Sequence, residues 1–77
     1  MLIQHDDFPA RVSARMDGAV GMTARANAIA AEVDDAARAA GIGSGYRIGR
    51  DGAYLTLSAG RGSARVTVRL FAPWIAE

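Results

Sequence analysis

Three stretches of this chain hold residue types that can do chemistry. The first is His5-Asp6-Asp7, where the single histidine precedes two carboxylates. An imidazole oriented by a carboxylate is a general base, and the same set is a fragment of a metal site. Adjacent residues rarely converge on one point, however, and no nucleophile is placed to use them. Asp6 and Asp7 therefore read as candidate helix caps. The second stretch, Gly41-Ile-Gly-Ser-Gly45, has the composition of a phosphate loop. Such loops lead from a strand into a helix N-terminus, whose N–H groups face the anion. This one follows the end of a helical pattern, the electrically wrong end, and no Lys-Ser/Thr follows it. It reads as a connector. The third is a set of arginines: Arg65 and Arg69 alternate with Thr67 on one side of a strand, and Arg47, Arg50 and Arg61 are nearby. Tyr46 and Tyr54 lie in the same segment. Arginines with aromatic rings on a sheet hold single-stranded nucleic acid by phosphate contact and base stacking. The plainer explanation is a solvated face that keeps a sheet soluble. The expectation is no catalytic residue, no metal ligand and no cofactor-binding residue.

The elements that must carry these residues are legible from periodicity. Phe8, Val12, Met16 and Ala19/Val20 recur at helical spacing after Pro9, which suits a first helical turn. Gly18 and Gly21 mark either a kink or a loop. Thr23 is placed to cap a second helix, whose stripe is Met22, Ala26, Ile29, Val33, Ala36/Ala37 and Ala40. Gly41 stands where a helix ends. Beyond it the period changes to two. Tyr46 and Ile48 precede an Asp51-Gly52 turn; Leu55 and Leu57 follow, and a long strand runs from Ser63 to Phe71 before Pro73. Leu2-Ile3 is a candidate short first strand. The expected fold class is α+β, with one or two N-terminal helices packed on a three-stranded antiparallel β-meander. Residues 1–77 form a single domain, helical over about 8–40 and β over about 44–72, with an apolar C-terminal segment 71–77.

Composition narrows the class. A chain of 77 residues without cysteine has neither disulfide nor thiolate metal site to reinforce a marginal core. Helix packing or self-association must supply the difference. All nine basic residues are arginine, which is the signature of a GC-rich genome, and a net charge of +1 does not argue for nucleic acid by itself. Residues 1–40 carry four arginines against six acidic groups; residues 41–77 carry five against two. Such an asymmetry lets copies meet head to tail. No apolar run reaches the length of a membrane span, and the N-terminus lacks the pattern of a secretory signal. The expectation is a soluble protein with no membrane contact.

The C-terminal phrase Phe71-Ala-Pro-Trp-Ile-Ala-Glu77 places the only tryptophan where small domains usually carry polar, frayed residues. Phe71, Trp74 and Ile75 are accordingly the candidate subunit interface. The order of elements, with the phrase Gly45-Tyr46-Arg47 before the strands and Phe71 to Glu77 closing them, resembles small neck and tail-completion proteins of tailed bacteriophages, the head-tail connectors. The usual Pro-x-x-Thr-Gly before the turn is missing here, and the family normally continues beyond the glutamate. The resemblance implies a structural virion protein at the head-tail junction or tail end, made in the host cytoplasm and assembling into a ring without catalysis. Its partners would be copies of itself and neighbouring virion proteins, with Arg47, Arg65 and Arg69 on a passing DNA or an adjacent subunit. Two other functions fit the same residues. One is a nucleic-acid-binding or regulatory domain working through those arginines with Tyr46 or Tyr54. The other is an accessory or inhibitor protein that holds a host partner on its apolar end.

Overall fold

The computed structural model describes residues 1–76. Glu77, the last residue of the C-terminal phrase, lies outside the described residues. The chain runs β1 (Leu2–His5), α1 (Phe8–Met16), α2 (Met22–Ala39), β2 (Arg47–Asp51), β3 (Tyr54–Ala59) and β4 (Val66–Phe71). Short 3-10 turns occupy Gly62–Ala64 and Pro73–Ala76. The class is α+β.

Helix α1 forms where Pro9 presets its first turn and Phe8 and Val12, one turn apart, sink to 1% exposure. Asp7 occupies the N-cap position, yet its carboxylate takes the Arg11 Nε at 2.8 Å rather than a backbone N–H. The helix ends on Asp17, in the left-handed region at φ 50°. Gly18 and Gly21 follow at φ 82° and 105°, so the glycine pair is a loop between two helices and not a kink. Gly21, not Thr23, holds the N-cap position of α2.

The stripe expected on α2 is only partly the buried one. Ala28, Val33 and Ala37 are buried and Ile29, Ala36 and Ala40 partly so, whereas Met22 is 90% exposed and Ala26 lies in solvent. Helix α1 has half the length of α2, so the first turns of α2 have less to pack on. Arg15 on α1 joins the pair by ion contacts to Glu32, at 3.0 Å, and to Asp35. At the other end the Gly41 stop is found as expected. Gly41 (φ 79°) donates to the Arg38 carbonyl at 3.0 Å and Ile42 to that of Ala37 at 2.9 Å, the two bonds of a Schellman cap. Ile42, just past the cap, is buried against the core.

The sheet corrects the expected three-stranded antiparallel meander. It has four strands in the order β1-β4-β3-β2, and β1 lies parallel to β4. Strands β2, β3 and β4 are the antiparallel meander of the sequence reading. The helical segment between β1 and β2 carries the chain back to the end where β1 began, and the two reversals that follow leave β4 parallel to β1. The candidate first strand at Leu2-Ile3 is found as β1; what four residues could not show is its pairing with β4. The long strand also starts later than expected, at Val66 instead of Ser63. The chain instead closes a 3-10 turn, with Ala64 donating to Arg61 at 3.0 Å, after the left-handed Gly60 and Gly62.

Cross-strand partners Ile3, Val68, Leu57 and Ile48 share the face that α1 covers. Leu57, Val68 and Leu70 are fully buried there with Phe8, Val12 and Ala72. Each large side chain so buried stabilises the fold by about 1.5–3 kcal/mol. Cover thins toward β2, whose five residues are all exposed; α1 lies over β4, and α2 packs along α1. The molecule is correspondingly long and flat, 41 × 24 × 17 Å.

Candidate functional site

The histidine and aspartates at positions 5–7 are dispersed by the backbone. His5 sits in β1 opposite Leu70 on the helix-covered face. Asp6 turns to the outer face, where its Oδ1 accepts from the Tyr54 O–H and from Gln4 Nε2, each at 3.1 Å. Asp7 is engaged with Arg11, and that contact holds its carboxyl below the usual carboxylate range. Asp6 and Asp7 are engaged by different partners, and among the described residues the three do not gather into a ligand set. Asp6 is therefore a strut between β1 and β3, not a cap. Partial burial, followed by the bond to Asp6, pushes the Tyr54 phenol above its ordinary value.

Around Tyr54 the outer face is closed by its own side chains. The Phe71 ring packs on Tyr54 with centroids 5.5 Å apart, as their cross-strand register requires. The Arg69 guanidinium lies 4.3 Å from the centre of the Tyr54 ring, and its Nη1 reaches Asp51 Oδ2 at 2.8 Å. This covering leaves the Arg69 Nε buried without a hydrogen-bond partner among the described residues. Arg69 is thus occupied at the β2–β3 turn.

The candidate interface residues of the C-terminal segment do not form one projecting patch. Phe71 faces the outer side of the sheet against Tyr54. Trp74 stands edge-on to the buried Phe8, with ring centroids 6.1 Å apart, and the Arg25 guanidinium lies 5.8 Å from its ring. Ile75 is likewise half-buried against the core. Pro73 starts the 3-10 turn that aims Trp74 back at α1. Phe71, Trp74 and Ile75 are thus each partly covered by the chain itself, and each keeps some exposed surface.

The arginines divide by location. Arg47 and Arg65 meet at the opposite end of the sheet from Arg69, in an open cleft of 690 Å³ that Arg61 and Tyr46 also line. Gly45, Gly60 and Gly62 form its glycine-rich walls, and among the described residues no carboxylate lines it. Arg11, Arg15, Arg38 and Arg69 make ion pairs and Arg25 lies on Trp74. Among the described residues, Arg47, Arg50, Arg61 and Arg65 make no such contact, and all of these but Arg50 line the cleft. Three guanidinium groups in one concave surface, with a half-buried tyrosine beside them, suit phosphate groups and a stacked base. Arg61 joins the set because the Gly60–Gly62 turn folds it back beside β2. Sequence placed it nearby but gave it no role.

Sequence reasoning also missed the outer edge of β2. This strand has β3 on one side and, among the described residues, no strand on the other. Ile48 is 63% exposed although its register partners Leu57 and Val68 are completely buried. A glycine in mid-strand between an isoleucine and an arginine is the local signal of an edge, with charge and a missing side chain guarding it.

Among the described residues, no helix is long and apolar enough to cross a membrane. Comparison with protein-family models, with curated proteins and with solved structures finds no match for this chain.

Proposed function

We propose that this chain is a non-catalytic structural protein that assembles with copies of itself, in the manner of a ring at the head-tail junction of a phage-like particle. What supports it is the uncovered side of the sheet: a whole edge strand with exposed Ile48 at the end of a row of buried aliphatic residues. A chain of this size has little core to spare, and covering that row from outside completes it. The exposed remainder of Phe71, Trp74 and Ile75, which begins beside the β2–β3 turn and not on the outer edge of β2, supplies a second contact surface. Two different contact surfaces are what a closed ring requires. Light scattering behind a sizing column, at low and at high salt, tests this. The expected result is a discrete species larger than the 8.0 kDa chain. A monomer at both salts, up to millimolar protein, overturns self-assembly in solution.

The basic cleft favours a second function, contact with nucleic acid, and this is compatible with a ring through which DNA passes. It involves Arg47, Arg61 and Arg65 with Tyr46, while Arg69 is engaged elsewhere. Single-stranded oligonucleotide binding should weaken steeply with salt and fall roughly tenfold or more in an Arg61→Ala/Arg65→Ala variant. Binding that ignores both salt and the double substitution sinks this function.

A further inference from the structure

The free edge of β2 has a charge pattern that fits itself. Its residues read Arg47, Ile48, Gly49, Arg50, Asp51, all exposed. The Asp51–Tyr54 pair closes a two-residue hairpin through Gly52, at φ 61°, and Ala53. The pair flanking such a turn exchanges both backbone bonds, and bonded pairs alternate along an antiparallel ladder. Residues 47, 49 and 51 therefore bond inward to β3. Ile48 and Arg50 present their N–H and C=O groups outward, with no strand to receive them.

We propose that β2 pairs antiparallel with β2 of a second copy about a two-fold axis at Gly49, giving a continuous eight-stranded sheet. This rests on the self-assembly proposed above and adds the partner, the strand and the register. In that register Arg47 of each copy stands directly opposite Asp51 of the other, two opposite-charge cross-strand pairs on the outer face. Ile48 stands opposite Arg50, whose aliphatic stem covers it, and the two Ile48 side chains are diagonal neighbours. Gly49 meets Gly49 at the axis with no side chain between the backbones. A Cβ at Gly49 would come within 2.8 Å of Thr56 Oγ1 in its own chain, so the position is closely bounded on that face.

Other centres are poorer. An axis at Arg50 sets Arg50 against Arg50, and like charges directly opposite repel. An axis at Ile48 pairs the two isoleucines but leaves Arg47 and Asp51 without their complements. The helices do not obstruct the seam, because they cover the β4 side of the sheet and leave β2 bare. A two-fold contact alone closes a dimer, so any ring is built from such pairs through the C-terminal surface.

The register predicts a complementation. Arg47→Asp makes both outer positions of the strand acidic; Asp51→Arg makes both basic. Each variant alone should weaken self-association roughly tenfold or more in low-salt sedimentation equilibrium, and an equimolar mixture should recover a heteromeric pair near wild-type strength. Arg47 is exposed and makes no ion pair among the described residues, so its variant should keep the wild-type melt. Asp51 holds Arg69, so Asp51→Arg is combined with Arg69→Gln if the single variant fails to fold. Assembly of the wild type that is indifferent to both substitutions overturns the Gly49 register while self-assembly stands. Weakened single variants that do not recover on mixing overturn it equally. A wild-type monomer at all concentrations overturns both.

Discussion

The Tyr54 hydroxyl can donate to Asp6 only while it holds its proton, which makes one contact across the outer face dependent on pH. Folding raises the phenol above its ordinary value near 10, first through partial burial and then through the bond to Asp6. A group raised on folding contributes stability that is fully present below the unfolded value and is lost as pH rises through the folded one. Ultraviolet titration of a Tyr46→Phe variant, where Tyr54 alone absorbs as a phenolate, should therefore give a midpoint above 10. Asp6→Asn should bring it back toward 10. An ordinary midpoint in both proteins would mean that the Asp6–Tyr54 contact does not form. Little of this was legible at the level of single residues. Asp6 reads as a cap because capping is a local rule, whereas its partner lies 48 positions away. Asp7 does occupy the cap position, yet Arg11, one helical turn on, claims its carboxylate.

Among the elements, agreement followed the length of the pattern. Helix α2, the hairpin at Gly52 and the Gly41 stop each carry a signal several residues long or a residue that only one conformation favours, and all three are found. Strand β1 is four residues, and its partner is the far end of the chain, so nothing local announces the parallel edge. The β3–β4 connection was misjudged because alternation continues through Ser63, Ala64 and Arg65 while the backbone does not. Gly60 decides the matter. It sits at φ 90°, and a Cβ there would lie 2.5 Å from the Ala64 carbonyl oxygen. Gly60→Ala should destabilise the protein by on the order of 1–3 kcal/mol from backbone strain, with more from the contact. It should also disturb the cleft, since this turn carries Arg61. Denaturant unfolding checks the first effect. A stability equal to wild type would mean that the turn adopts another path.

For the molecule as a whole, the sequence conveyed the class and the order of elements but not how evenly they cover one another. Alternation of Tyr46 and Ile48 with Arg47 says that β2 has an apolar side; it does not say that the helices stop short of it. Likewise the terminal Trp74 reads as a surface anchor because sequence cannot show Phe8 waiting beneath it. Coverage is a property of topology, and topology here turns on one long-range pairing. Strand β4 lies between β1 and β3, so the last strand of the chain is the inner one that joins the first strand to the hairpin. Leu2 meets Thr67, and Ile3 meets Val68, across almost the full length of the sequence. Until β4 has been made, β1 has no strand to join, and the helices lack the row of Val68 and Leu70 that seals the core. On a ribosome the emerging chain would present its helices and β2–β3 as unsealed pieces, and would close only once β4 had left the exit tunnel.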